Sequence, residues 1–416
     1  MKQHEAPVWG TLTGIRPAKI AAKVLIANDE TQSATVTQSA IKTQSATDIL
    51  INDYFVSPDR AAMCVQTAQA ALTLKETLDP RDVALYIGIP FCPTRCAYCS
   101  FVSNSVERSF DLIDPFIEIL LQETEAMATL ANQLDLRVIS VYIGGGTPTA
   151  LPESALEAVM TALNKAFDFS HLREFTVEAG RPDTVTKQKL EIITKHGAKR
   201  ICINPQSMSA EVLSAIGRAH NPEDVYNAMR LIRQSDVCVN MDIIAGLPCD
   251  TPEGFKQTLD TVIGFKPESI TVHTLSLKKG SRIMLEGTEI PNGIQVGKML
   301  DCAAHRLKES NYAPYYLYRQ KYISGGFENT GWSLPGHEGI YNICMMEELC
   351  TVLSLGGGAV TKLVSPDGRI ERIFNAKYPR EYITQADDPQ SRKITDKIMR
   401  IESFYRANAG YGPQGI

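Results

Sequence analysis

Between residues 84 and 275 the chain repeats one unit: a short β-branched apolar run, a loop, then a longer amphipathic stretch. The apolar runs at 84–89, 138–143, 174–179, 200–204, 238–244 and 269–275 read as strands. The stretches at 110–131, 152–166, 183–196, 209–216 with 221–234, and 252–265 read as helices. Several carry start signals, among them Pro152-Glu153, Asn221-Pro222-Glu223-Asp224 and Thr251-Pro252-Glu253. Alternation of this kind demands a parallel sheet with right-handed crossovers. Six units at roughly 30 residues each fit an α/β fold of the partial (β/α)6 barrel kind, with a doubly wound open sheet as the alternative.

This core is expected over residues 82–290. Before it, 1–81 reads as a short, partly flexible N-terminal segment, helical around 61–78. Thr-Gln-Ser-Ala occurs three times there, at Thr31, Thr37 and Thr43, with no evident packed face. After the core, 291–416 reads as a C-terminal α+β domain, with helices at 294–309 and 345–353 and a run of tyrosines at Tyr312, Tyr315, Tyr316, Tyr318 and Tyr322.

Ten cysteines take their meaning from the compartment. No apolar run approaches the roughly 18 residues of a membrane span, and the first ten residues lack a charged-then-apolar signal pattern. The 42 lysines and arginines stand against 47 acidic residues, a net charge of −5, so no basic footprint for nucleic acid is present. The chain reads as cytoplasmic, where disulfides are not expected. Cys64, Cys202, Cys238, Cys249, Cys302, Cys344 and Cys350 are scattered and read as small buried hydrophobes.

The other three sit in Gly88-Ile89-Pro90-Phe91-Cys92-Pro93-Thr94-Arg95-Cys96-Ala97-Tyr98-Cys99, directly after the first strand. Spacings of four and three put three thiolates on one loop. Three ligands are one short of a closed zinc site, whereas a [4Fe–4S] cluster held by three cysteines leaves one iron open. A zinc knuckle completed by a distant cysteine is the competing reading. The loop lies at the C-terminal end of a strand, where barrel chemistry is carried out.

The second strand ends in Tyr142-Ile143-Gly144-Gly145-Gly146-Thr147-Pro148-Thr149, where successive glycines let backbone approach a ligand closely. No Gly-Lys-Ser/Thr follows, which excludes a phosphate loop of that type; an ordinary tight turn remains open. Later strands end in polar groups: Glu178, then Asn204 and Gln206, then Asp242, with Ser276 after the sixth and Arg218 beyond a short helix. Polar residues from four strands converging on one rim point to a site.

The cysteine spacing, with Tyr98 as the aromatic before the last cysteine, resembles the cluster motif of the radical S-adenosylmethionine (SAM) superfamily. The resemblance implies a [4Fe–4S] cluster on Cys92, Cys96 and Cys99, with SAM chelating the open iron and yielding a 5′-deoxyadenosyl radical on one-electron reduction. From Tyr86 to about Lys362 the chain is similar to the oxygen-independent coproporphyrinogen III oxidases, also called coproporphyrinogen dehydrogenases. Ile89-Pro90-Phe91-Cys92, Gly144-Gly145-Gly146-Thr147-Pro148-Thr149, Gln206 after Arg200, and 240–248 (Asn240-Met241-Asp242 through Gly246-Leu247-Pro248) carry that likeness. By matched position, Tyr86, Gly145, Glu178, Ser276 and Val360 would contact the cluster-bound SAM. Tyr98, Gly146, Thr147, Gln206, Arg218 and Asp242 would line a place for a second one. The loop 356–360 matches a family segment near the adenine.

Well-studied dehydrogenases carry a further cysteine where this chain has Phe101. That departure is shared with a haem-chaperone branch and with a divergent dehydrogenase branch, which 315–321, 328–332 and 341–348 resemble more closely. The divergent branch often has an extra N-terminal portion, and this chain looks like a shortened version. The implied reaction converts two propionates of coproporphyrinogen III to vinyls, giving protoporphyrinogen IX for haem biosynthesis, with electrons from a low-potential donor of flavodoxin or ferredoxin type. Alternatives are a haem-binding chaperone, with His337 or Tyr341 as axial ligands, and a radical reaction on another porphyrin or haem. A tetra-anionic substrate needs cationic anchors, for which Arg319 and Lys321 are candidates.

Overall fold

The computed structural model describes residues 7–14, 16–27, 36–99, 104–105, 109–277, 281–320, 324–387 and 393–408. Among them, three helices come first: α1 (Ala18–Ala27), α2 (Val36–Asn52) and α3 (Pro58–Lys75). Strand and helix then alternate through β1 (Asp82–Ile89), α4 (Ile113–Gln133), β2 (Arg137–Gly145), α5 (Glu153–Ala166), β3 (Glu174–Glu178), α6 (Lys187–Lys195) and β4 (Arg200–Gln206). The alternation continues with α7 (Ala210–Ala215), α8 (Pro222–Ile232), β5 (Cys238–Ala245), α9 (Pro252–Gly264) and β6 (Ser269–Thr274). Next come α10 (Arg282–Glu286), α11 (Gly293–Glu309), β7 (Ala313–Arg319), β8 (Glu328–Ser333) and α12 (Ile340–Glu347). The chain closes with β9 (Thr351–Gly356), β10 (Val360–Val364), β11 (Ile370–Phe374), α13 (Pro379–Asp387) and α14 (Lys393–Ala407). All six expected strands are present, and the class observed is the expected α/β one. No described helix is long and apolar enough to cross a membrane.

Local chemistry explains where the helices begin. Asn221 caps α8 in a reciprocal box with Asp224, and Asn292 does the same for α11 with Gln295. Thr186 and Thr251 each accept a backbone N–H at the starts of α6 and α9. The expected helix at 345–353 is only partly observed. Helix α12 stops at Glu347, Glu348 turns with φ 58°, and 351–356 become the buried strand β9. Thr351-Val352-Leu353-Ser354-Leu355 has strand-forming residues, and pairing with β1 settles the ambiguity that periodicity leaves.

The chain divides into two compact units, Met1–Thr77 with Gln206–Ile216 and Asp242–Glu347, and Leu78–Pro205 with Gly217–Met241 and Glu348–Ile416. In the second unit the strands run in the order β11-β10-β9-β1-β2-β3-β4, followed by the first half of β5. Strands β9, β1, β2, β3 and β4 are parallel, and β10 and β11 add antiparallel. In register, Gly88 of β1 stands beside Gly144 of β2 on one side and Gly356 of β9 on the other. Their C-terminal ends therefore release three loops at one level.

In the first unit the second half of β5 leads to β6, β8 and β7, with β8 antiparallel to both neighbours. The N-terminal segment is built into this unit. Trp9 donates its indole N–H to Glu328 at 2.7 Å, and Arg60 pairs with Glu328 at 2.9 Å and Asp301 at 2.5 Å. The third Thr-Gln-Ser-Ala copy lies in α2, where Ala46 and Leu50 are fully buried, so this stretch has the packed face the sequence did not reveal. The first copy lies outside the described residues. Of the seven scattered cysteines, Cys64, Cys202, Cys344 and Cys350 are buried as expected. Cys238 and Cys302 are half-buried, and Cys249 is exposed on a left-handed turn (φ 61°).

One buried ion pair organises the C-terminal end of the second unit. Glu123 of α4 accepts from Lys397 Nζ of α14 at 2.8 Å, Tyr382 of α13 at 2.6 Å, Asn375 at 2.9 Å and the Gly356 N–H at 2.8 Å. Removing one member strands the other charge in the core, which typically costs about 3–5 kcal/mol. Glu123→Leu should therefore destabilise by about 3–5 kcal/mol in urea unfolding, and adding Lys397→Met should restore much of the loss. Additive losses in that double-mutant cycle would contradict the pairing.

Candidate functional site

The site in the second unit begins with a backbone joint. Gly146 donates its N–H to Ile89 O at 2.8 Å, and Thr147 donates to Phe91 O at 2.7 Å. The glycine loop after β2 is thereby laced to the first residues of the cysteine loop after β1. A Cβ on Gly146 would stand 2.4 Å from Phe91 O, so only glycine fits there. Gly145 has φ +107°, a conformation that L side chains rarely adopt. Phe91 is fully buried with its ring edge-on to Phe116 at 5.3 Å, which anchors the cysteine loop at its start.

Beyond that anchor, Cys92, Cys96 and Cys99 are each half-buried. The Cys99 N–H donates to Cys96 O at 3.1 Å, so the last two are set by a tight turn. Thr147 Oγ1 lies 3.6 Å from Cys92 Sγ. Arg181, only 3% exposed, directs Nη1 at Thr94 Oγ1 (3.0 Å) and at Cys96 Sγ (4.0 Å), with Nε on Asp183 at 3.3 Å. Its Nη2 is buried with no hydrogen-bond partner among the described residues. Arg218 donates to Asn204 O at 2.6 Å, Gly180 O at 3.2 Å and the Tyr98 hydroxyl at 3.3 Å. Burial alone would lower the Arg218 pKa, but Tyr98 and Cys96 beside it carry it upward.

A second group flanks this joint. Tyr142 donates to Glu178 Oε1 at 2.5 Å, and its ring stacks on Tyr86 with centroids 6.3 Å apart. Burial, reinforced by the Glu178 charge, raises the Tyr86 pKa, so its phenol keeps its proton. Cβ atoms built on Gly144 would meet Tyr142 and Glu178 at 2.8–3.0 Å, a close approach that fixes the carboxylate beside the glycine loop. Val360 opens β10, directly after the 356–359 turn that packs against Gly88.

Within the second unit the structure sets Cys92, Cys96 and Cys99 on one loop, with Thr147 beside Cys92, Arg181 beside Cys96 and Arg218 beside Tyr98, and it joins that loop to Gly146. Three thiols on one loop, backbone that tolerates no Cβ, and buried nitrogens on Arg181 and Arg218 that find no hydrogen-bond partner among the described residues suit an iron–sulfur cluster and a small polar cofactor. Gln206, Asp242 and Ser276 belong to the first unit. Gln206 holds φ 65°, and its Oε1, like the Oγ of Ser276, is buried without a hydrogen-bond partner. Asp242 lies 3.5 Å from His273 Nε2. Burial and the Asp242 charge raise Tyr318 to about 12.

Arg319 is not the substrate anchor the sequence suggested. Its guanidinium donates to Gly326 O at 3.0 Å and Leu12 O at 2.5 Å and lies 5.4 Å from the Trp9 ring centroid, so it is engaged in tying the first unit together. Lys321, Tyr322 and Phe101 lie outside the described residues. His337 is half-buried in the turn after β8, and Tyr341 is buried in α12. Sequence reading missed Tyr142, Arg181, His220 and His273. Tyr142 was recoverable, because it precedes the glycines by two on a strand and shares a face with Gly144. The others come close only through the fold.

An α/β fold with three cysteines on the loop after its first strand and a glycine loop after its second defines a radical SAM protein, and residues 86–262 match the Radical SAM superfamily model. The chain is 37% identical to the oxygen-independent coproporphyrinogen-III oxidase-like protein HemZ of Bacillus subtilis, over 93% of this chain and 76% of that protein. It is 26% identical to the heme chaperone HemW of Haemophilus influenzae, over 78% and 81% respectively. The fold is similar to coproporphyrinogen III oxidase (HemN) from Escherichia coli, with a TM-score of 0.60 at 21% identity, covering 77% of this chain and 73% of that one. The chain belongs to the oxygen-independent coproporphyrinogen-III oxidase-like family of radical SAM proteins. Its cofactors are a [4Fe–4S] cluster and SAM.

His220 reports on the charge of this region. It is buried, and desolvation together with Arg218 and Arg181 depresses its pKa to about 3. Between about pH 6.5 and 3 the unfolded chain binds a proton there that the folded chain refuses, so stability falls as pH falls, by up to about 1.4 kcal/mol per unit. Urea midpoints across pH 4–8 should fall more steeply below 6.5 for the wild type than for His220→Gln. Parallel profiles would count against the assignment.

Proposed function

We propose that the protein is a radical SAM oxidoreductase that removes CO₂ from two propionates of coproporphyrinogen III, leaving the vinyls of protoporphyrinogen IX. The observation that carries this is the cysteine triad at the end of β1, laced through Ile89 and Phe91 to the glycine loop of β2. Likeness to an oxidase-like relative over nearly the whole chain supports the choice of substrate. Cys92, Cys96 and Cys99 hold the cluster. Bound there, cluster and SAM supply one-electron cleavage of the sulfonium and abstraction of a hydrogen atom from the substrate.

The chain's own residues bind and orient. The glycine loop presents backbone groups to the methionine end of SAM without a side chain in the way. Glu178, oriented by Tyr142, faces the same end, and Tyr86, Val360 and Ser276 complete the contacts. By matched position, Tyr98, Gly146, Thr147 and Arg218 of the second unit, and Gln206 and Asp242 of the first, are the residues assigned to a second SAM. A flavodoxin- or ferredoxin-type donor provides the electron. The second reading, a haem chaperone that uses the same cluster, is favoured by relatives that carry that name.

Anaerobically reconstituted protein, given coproporphyrinogen III, SAM and a strong reductant, should release 5′-deoxyadenosine and CO₂ in step. Cys96→Ala should lose both products and much of its iron. Deoxyadenosine without CO₂, alongside a saturable haem titration, would turn the decision to the chaperone. Tyr142→Phe removes one hydrogen bond to a carboxylate, an interaction worth about 1.5–3 kcal/mol. It should weaken SAM binding about tenfold or more in equilibrium titration while leaving iron content unchanged.

A further inference from the structure

Among the described residues, Arg181 is a buried cation that reaches the cysteine loop from outside the motif and has no part in the roles given above. It sits just after β3, in the Gly180-Arg181-Pro182 turn, with its side chain 3% exposed. Asp183 and Thr94 hold the guanidinium at Nε and Nη1, which fixes its plane. The same Nη1 lies 4.0 Å from Cys96 Sγ, and Nη2 is buried with no hydrogen-bond partner among the described residues. Leaving a charged donor unsatisfied in a buried site is costly unless a ligand completes it.

We propose that Arg181 completes its hydrogen bonding on the Cys96 side of the cluster and thereby raises the cluster's reduction potential, a role that rests on these cysteines holding it. Positive charge and N–H···S hydrogen bonds at a cluster edge stabilise the reduced form, which carries one more negative charge. Asp183 sits on Nε, away from the two terminal nitrogens, and cancels part of the charge without taking these donors. A low-potential donor then has a shorter step to make. The competing role is a plain staple between the turn at 181–183 and Thr94; it would govern stability and cluster retention but leave the potential alone.

The test is a redox titration of the reconstituted protein without SAM or substrate, read by electron paramagnetic resonance of the reduced cluster, beside iron content and melting temperature. Arg181→Gln should move the midpoint to more negative potential. Arg181→Lys, which keeps the charge and loses the fork, should move it less in the same direction. Where Arg181→Gln holds no cluster, Arg181→Lys and Thr94→Val, which frees the guanidinium from its tether, decide in its place. An unchanged midpoint in every variant that reconstitutes overturns the proposal. A wild type that binds no [4Fe–4S] cluster would overturn the cysteine assignment instead.

Discussion

Two backbone hydrogen bonds, Gly146 N–H to Ile89 O and Thr147 N–H to Phe91 O, set the geometry from which the rest of the site follows. They lie just past the ends of two parallel strands, where the ladder would otherwise stop and the loops would part. Carrying the ladder pattern a few residues further keeps the cysteine loop against the glycine loop. The requirement is steric as well as polar, because any side chain at 146 would strike the Phe91 carbonyl. A mobile loop would have to be ordered by its cofactor, at the cost of the entropy lost on binding. Here much of that ordering is built in.

The same level of the sheet is braced from the opposite side. Gly356 ends β9 beside Gly88, with a would-be Cβ only 2.3 Å from the Gly88 carbonyl. Its N–H is held by Glu123, which is neutralised by Lys397. A buried carboxylate and ammonium are a poor source of net stability, since desolvation offsets much of their attraction. Their value lies in directionality. Four donors converging on one carboxylate allow one arrangement of α4, α13, α14 and the 356–359 turn, where apolar packing would tolerate several.

Charge in the cysteine region is arranged by a similar logic. Arg181 and Arg218 approach Cys96 while Asp183 holds Arg181 Nε and the carbonyls of Gly180 and Asn204 hold Arg218 Nη1. His220, buried beside both, stays neutral because burial strips a charge there of solvent and the two guanidinium groups would repel it. The region therefore concentrates cationic character around thiol sulfurs, in a chain whose overall charge is negative. Composition averages over such an arrangement and gives no hint of it.

What was legible in the sequence is what depends on near neighbours. The strand–helix alternation marked all six central strands, and the spacing of Cys92, Cys96 and Cys99 marked the loop, because periodicity and local turns are written in consecutive residues. The expected helix across 345–353 was in error for the converse reason: 351–356 is apolar enough for either state, and a partner strand more than 260 positions earlier decides it. Arg319 looked like an anchor and proved to be a tie to Leu12, a partner that only folding brings near. Arg181, Tyr142 and Glu123 owe their roles to distances across the fold. The sequence by itself determined which elements form and which thiols share a loop. Tertiary structure alone decided which charges meet, because the energy of a buried ion depends on everything around it and not on the residues beside it in the chain.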